Sequence, residues 1–211
     1  MSSNIMSSNI PHKPAITRVP IHELIAQRWS PVAFDPQRPV SRAQLIALLE
    51  AARWAPSCFG DQPWRYIVWD RFTDPAAWEQ AQNCLTPGNQ DWARNPPILM
   101  LSLAGSVFSA TGKPNRWAQH DTGAASENIC LQATALGLMA HQMGGFDADK
   151  ARALFGIPED YTAMAMIAVG YQGTSDVLND KLREREAAAR ERRPLGEKFF
   201  AGAWGESVHI D

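Results

Sequence analysis

Cysteine is scarce in this chain, and its scarcity excludes two kinds of site at once. The 211 residues contain only Cys58, Cys84 and Cys130, with no CxxC spacing. An odd, scattered set of thiols argues against a disulfide scaffold and a zinc site, and favours a reducing compartment. A basic surplus is also lacking: 20 Lys and Arg stand against 22 Asp and Glu, a formal net charge of −2. Neutralising a phosphate backbone needs the opposite balance, so no nucleic acid is expected as a partner. No apolar run reaches the roughly 18 residues of a membrane span, and the first residues lack the basic-then-apolar order of a secretion signal. The expected location is cytoplasmic, with no membrane partner. His12, His22, His120, His141 and His209 form no i,i+4 pair, so no metal is expected. The phosphate loops GxGxxG and GxxxxGK[ST] and the hydrolase elbow GxSxG are all missing. His120 and Asp121 are sequence neighbours whose side chains should diverge, with Asp121 read as a helix N-cap.

What is present is an ordinary globular composition, 45% apolar and 20% charged, with eight tryptophans. Residues 1–10 are a direct repeat, Met-Ser-Ser-Asn-Ile twice, and carry no chemistry. Disorder is expected over residues 1–15 and a single domain over 16–211. A first helix is expected from Ile21 to Gln27, and Ser41-Arg42-Ala43-Gln44 reads as a capping box opening a second. Strands are expected at 64–69, at the almost wholly apolar 98–103, and at Met164–Tyr171. Between them, Asp121 should open a long helix running to Leu136 and stopping at Gly137. Met139–Phe146 reads as a glycine-bearing turn, and Asp147–Phe155 as a short helix closed by Gly156. Beyond Gly173 the chain turns highly charged from Leu182 to Arg193, then apolar again at Phe199, Phe200 and Trp204. An apolar tail past a charged segment has little core left to join, so it should pack on a partner subunit as an arm from about residue 175. Strands separated by long helices indicate an α/β or α+β sandwich.

Several short constellations can carry chemistry. Arg28-Trp29-Ser30 ends a helix with a guanidinium and a hydroxyl two residues apart, a donor pair suited to phosphate. Arg190, Arg192 and Arg193 offer further cations, or a solvated helix face. Pro56-Ser57-Cys58-Phe59-Gly60-Asp61-Gln62-Pro63-Trp64 is a small polar loop between a helix and a strand. Its Ser57 and Gln62, with Asn89 in the turn Pro87-Gly88-Asn89-Gln90, match a ring system that presents both donors and acceptors. Each residue is equally a candidate for simple loop capping. In Met143-Gly144-Gly145-Phe146 the glycines let backbone lie against a planar face, or form a tight turn.

Taken in order, these segments resemble the FMN-dependent nitroreductase family. Arg28-Trp29-Ser30 is similar to its Arg-x-Ser phosphate motif, and Pro56-Ser57 through Gln62-Pro63-Trp64 to its PSxxNxQPW loop. Asn89, with Trp92 and Pro96-Pro97, resembles the asparagine at the pyrimidine edge of the flavin. Asp121-Thr122-Gly123-Ala124-Ala125 and Ala135-Leu136-Gly137-Leu138 resemble the central helix. Gly144-Gly145-Phe146-Asp147 is similar to the loop on one flavin face, and Arg190, Arg192 and Arg193-Pro194-Leu195 to the C-terminal phosphate clamp. The chain departs from the pattern at Trp29 and Val32, where basic residues are common, and at Gly60, Trp92 and Gly144.

The resemblance implies an α+β fold: a three-layer α/β/α sandwich on a mixed, mostly antiparallel sheet, with a C-terminal arm exchanged in a homodimer. It implies FMN as cofactor, NADH or NADPH as electron donor, and ping-pong reduction of a nitroaromatic, quinone or enone-type acceptor. The cofactor-binding set would be Arg28, Trp29, Ser30, Pro56, Ser57, Gln62, Asn89, Met143, Gly144, Gly145, Arg190, Arg192 and Arg193. No catalytic side chain is required by such chemistry. A flavin-binding storage or redox-sensing protein with little turnover is the alternative.

Overall fold

The computed structural model describes residues 12–208; the N-terminal repeat lies outside them. In chain order the elements are α1 (Glu23–Gln27), α2 (Arg42–Arg53), β1 (Trp64–Asp70), α3 (Pro75–Gln82), α4 (Pro87–Ala93), β2 (Ile98–Gly105), α5 (Ala118–Ala135), β3 (Met139–Met143), α6 (Ala148–Phe155), β4 (Tyr161–Gly170) and α7 (Asp180–Ala187). Every residue of β2 is buried. The strand lies between β1 and β4 in a four-stranded sheet of order β1-β2-β4-β3, and each pairing is antiparallel. The expected "mostly antiparallel" sheet is therefore wholly so among the described residues.

Successive side chains on a strand face opposite ways, and this divides the core into two layers. Leu99, Leu101 and Leu103 of β2, with Met166 and Ala168 of β4, face Phe34, Trp78, Trp92 and Ile157. Ile98, Met100, Ile167 and Val169 face Leu48, Ala52, Ala125, Ile129 and Ala133 of α2 and α5. The result is the three-layer α+β sandwich expected from the sequence. The capping box at Ser41 is formed, with Gln44 N–H on the Ser41 hydroxyl and the Gln44 amide oxygen accepting from Ser41 N–H. Asp147 caps α6, and Gly156 ends it in the left-handed conformation.

Five local expectations fail. Met139–Met143 is not a turn but the edge strand β3, paired with Met166–Gly170, and the glycines follow it. Pro87–Ala93 is a helix, with Pro87 in the first turn and fully buried Trp92 anchoring it. Asp121 is not an N-cap: α5 starts a turn earlier at Ala118, behind Trp117. Nor do His120 and Asp121 diverge, since His120 Nδ1 lies 3.3 Å from Asp121 Oδ1. Disorder through residue 15 also does not hold for Lys13 and Ala15. Ala15 N–H donates to Ala26 O at 2.8 Å, and Lys13 O accepts from Arg190.

The charged segment is docked rather than solvated, since Leu182 and Glu186 of α7 are buried. The tail folds back on itself through a Phe200–Ser207 bridge, with Phe199 and Trp204 left exposed. Val32–Asp35 lies along the exit of β4: Gly173 N–H donates to Ala33 O and Asp35 N–H to Tyr171 O, both at 2.9 Å. A Cβ on Gly173 would sit 2.6 Å from Phe34 C and 2.8 Å from Asp35 N. Both are backbone atoms that cannot swing aside. Gly173→Ala should therefore lower unfolding stability by about 2–3 kcal/mol, the scale of overpacking. Urea unfolding of both proteins checks this, and equal midpoints would refute the close approach.

Candidate functional site

The turn that follows α1 gathers cations. Arg28 Nε sits 3.3 Å from Glu127 of α5, and its Nη1 reaches Ser30 Oγ at 3.5 Å. Burial raises the Glu127 pKa above the usual carboxylate range, and Arg28 partly offsets that. From the far end of the chain, Arg190 Nη1 donates to Lys13 O at 2.6 Å and Ala26 O at 2.9 Å. Burial, then the neighbouring Arg28 and Arg192, lower the Arg190 pKa. Lys13, Arg28, Ser30, Arg185, Arg190 and Arg192 line one cavity of about 230 Å³, floored by Trp29, with Glu186 as its one acid.

That acid is already engaged. Glu186 accepts Val32 N–H at 2.8 Å, Ala33 N–H at 3.4 Å and Gln172 Nε2 at 2.9 Å. Clustered cations, with Glu186 facing backbone amides and Glu127 set against Arg28, leave a positive, hydrogen-bond-rich hollow. Arg193 stands apart from it, 3.5 Å from Glu197, on a larger apolar groove with Ile16, Ile21, Ile25 and Leu195.

A second cluster forms where α4 meets the loop after β3. The Gly145 carbonyl accepts from Thr86 N–H at 3.0 Å, Thr86 Oγ1 at 3.1 Å and Asn89 Nδ2 at 3.0 Å. A Cβ at Gly145 would lie 2.7 Å from Asn89 Nδ2, whereas Gly144 has open space around it. Asn89 is thus held by its amide nitrogen, leaving its carbonyl oxygen to accept from a ligand. The Met143 side chain is buried in the core, so only its backbone reaches the loop.

The third part is the 56–63 loop, held by polar anchors. Gln62 N–H donates to Ser57 Oγ at 3.1 Å, and Cys58 N–H to Asp121 Oδ2 at 2.9 Å. Asp61 accepts from Ser109 N–H and Oγ at 2.8 and 2.6 Å and from Asn115 Nδ2 at 3.2 Å. The Ser109 hydroxyl above all holds the Asp61 carboxyl below its ordinary pKa. Phe59, Gly60 and Gln62 have φ of 54°, 68° and 52°. Two non-glycine residues in the left-handed region mark a strained backbone, of the kind that collects at functional sites. Pro56 and Gln62 are exposed, and Phe59 stands 94% exposed with its ring edge toward Phe108.

The Nitroreductase family profile matches residues 25–171. The chain belongs to the nitroreductase family. A solved structure described as an oxidoreductase containing FMN is 33% identical over 91% of this chain and 96% of its own, with a TM-score of 0.84. A Thermus thermophilus NADH dehydrogenase is 29% identical over 162 residues, 63% of this chain and 78% of that protein. A Mycolicibacterium smegmatis protein of 15.4 kDa is 37% identical over 93 residues, 44% of this chain and 63% of that protein.

The nitroreductase-family motifs fall into three groups in one chain. Arg28, Trp29, Ser30, Arg190 and Arg192 converge on the cation cavity; Asn89 meets Gly145 beside Gly144 and Met143; Pro56, Ser57 and Gln62 stay on their own loop. No hydrogen bond joins the three groups among the described residues. α5 explains the separation. Asp121 holds the loop and Glu127 holds Arg28, six positions further on. That spacing is about 9 Å along a helix and about 240° around it, so the two attach to different faces. Sequence reasoning missed Lys13, Arg185 and Glu186, and the anchoring roles of Asp61 and Asp121. Lys13 and Glu186 carry no local signal, because the main-chain groups that their side chains bond are more than 150 residues away.

Beneath the cation turn lies His141, whose Nδ1 donates to Pro31 O at 2.7 Å while its ring stacks 4.5 Å from Trp92. Burial outweighs that hydrogen bond and holds the imidazole neutral, with a pKa of about 4 against an ordinary 6.5. The unfolded chain thus binds the proton that the folded one refuses. The neutral ring's contribution is complete above pH 6.5 and is lost as pH falls toward 4, by about 3 kcal/mol. Between pH 7 and pH 4, the wild-type protein should lose about that much more stability than His141→Asn. Parallel stability curves in urea would contradict it.

Among the described residues no helix is long and apolar enough to cross a membrane, and no cluster of His, Cys, Asp and Glu could hold a metal ion.

Proposed function

We propose that this protein is an FMN-dependent NAD(P)H oxidoreductase that reduces nitroaromatic, quinone or enone-type molecules by a ping-pong scheme in one cleft. The observation that carries the reading is the hollow of Arg28, Ser30, Arg190 and Arg192, which suits a phosphomonoester. The FMN named for the structure of TM-score 0.84 and the NADH in the Thermus relative's name support it.

FMN, when bound, supplies the redox chemistry, and the protein's task is to hold and tune it. Arg28, Arg190 and Arg192 neutralise the phosphate, Ser30 adds a hydroxyl donor and Trp29 is the wall. Arg193 flanks the entrance. Asn89, Ser57 and Gln62 offer donors and acceptors to the ring edges, with Pro56 shaping the loop. The backbone of Met143, Gly144 and Gly145 would face the ring. None of these groups needs to move a proton.

The protein acts as a homodimer in this reading, with residues 16–211 forming one domain and an arm from about 175. A second copy brings its 56–63 loop to the first copy's cation hollow. The exposed Phe199 and Trp204, and the apolar groove of about 540 Å³ beside Leu195, are surfaces that such an arm would cover. The three free thiols suit a reducing, cytoplasmic setting.

Purified protein mixed with FMN should hold it through gel filtration. NADH or NADPH should bleach its visible absorbance without oxygen, and an acceptor should restore it. Protein that fails to retain FMN refutes the proposal, and a bound flavin that no nicotinamide bleaches points to storage or sensing. Arg28→Ala should weaken FMN binding by roughly 1.5–3 kcal/mol, the scale of a hydrogen bond to a charged group; an unchanged Kd would remove Arg28 from the phosphate site. Deleting residues 195–211 should shift the sizing profile from dimer toward monomer, and an intact dimer would contradict the arm.

A further inference from the structure

Lys13 lies in the irregular segment that precedes α1, and its side chain lines the cation cavity. Its Nζ donates to the Glu186 carbonyl at 2.7 Å and stands 4.7 Å from the centre of the Trp29 ring. An ammonium carries three protons. The carbonyl takes one and the ring face a second direction, and among the described residues the Lys13 ammonium has no other hydrogen-bond acceptor. The group lines the same cavity as Arg28, Ser30, Arg190 and Arg192.

Its surroundings sharpen the point. The backbone carbonyl of Lys13 is bonded to Arg190, so the residue is pinned from both its main chain and its side chain. Burial and the adjacent Arg190 disfavour the charged ammonium, and Glu186 only partly offsets them. A cation held beside other cations, with a proton unspent, is in the condition that a bound anion relieves.

We propose that Lys13 is a ligand of the phosphate group, so that the segment before α1 closes the anion site that Arg28, Arg190 and Arg192 begin. The proposal rests on the reading of the cavity as a phosphomonoester site. In this arrangement Trp29 is the platform that aims Lys13: the cation–ring contact fixes the ammonium over the hollow while the stem lies along apolar surface. FMN affinity then depends on both chain ends, Lys13 from one and Arg190 from the other.

Two variants separate a ligand from a strut. Lys13→Met keeps an apolar stem over Trp29 and removes the charge; Lys13→Arg keeps the charge. Each is titrated with FMN, with riboflavin, which lacks the phosphate, and with inorganic phosphate. Lys13→Met should bind FMN about 10- to 100-fold more weakly, the range of one charged hydrogen bond, and show weaker phosphate binding. Its riboflavin affinity should match the wild type, and Lys13→Arg should recover most of the FMN affinity. Wild-type affinity for FMN and phosphate in Lys13→Met overturns the proposal, as does an equal loss of FMN and riboflavin, the mark of a purely structural residue. If the wild-type protein binds neither flavin, the functional reading fails, and the phosphate titration alone decides Lys13. A Lys13-dependent phosphate affinity then supports it, and none overturns it.

Discussion

The Glu186 carboxylate is the point on which the site depends. It is 3% exposed and satisfied by the Val32 and Ala33 amides and the Gln172 side chain. A buried carboxylate is tolerated only with such donors, because desolvation otherwise outweighs what it gains. The donors come from the segment just after Arg28-Trp29-Ser30 and from the exit of β4, while Glu186 itself sits on α7. One side chain therefore ties the start of the domain, its sheet and its C-terminal segment. Its negative charge also tempers the mutual repulsion of Lys13, Arg28, Arg185, Arg190 and Arg192, which line the same hollow.

The rest of the fold provides the rigid frame that such a latch needs. β2 is buried on both faces, so its register with β1 and β4 is set by two cores at once. α5 packs on one face and presents Asp121 and Glu127 in different directions, one to the 56–63 loop and one to Arg28. Asp61 then fixes the loop to Ser109 and Asn115. The left-handed φ values of Phe59 and Gln62 persist because these anchors over-determine the backbone.

What could be read in the sequence was local and strongly patterned. The run Ile98–Leu103 could only be a buried strand, and Ser41…Gln44 and Asp147…Gly156 carry their helix boundaries in their own side chains. The same chemistry misled where packing overrode it. Pro87-Gly88-Asn89 has the composition of a turn, yet buried Trp92 draws it into α4. β3 is five residues long and includes His141 and Gln142, too short and too polar to declare itself away from β4. The arginines and the loop were visible as motifs. Their convergence was not, because Lys13, Ala26, Val32, Glu186 and Arg190 meet across most of the chain's length, and nothing local encodes that meeting.

The central claim is that both ends of the chain clamp a phosphate while the flat part of the ligand runs toward Asn89, Gly145 and a neighbouring copy's loop. A crystal structure of the protein with FMN tests it most directly. The account predicts the phosphate within hydrogen-bond distance of Lys13, Arg28, Ser30 and at least one of Arg190 and Arg192, with Ser57 and Gln62 reaching the ring from a second copy. A phosphate seated away from the Arg28–Glu186 hollow, or a site completed within one chain, would contradict it.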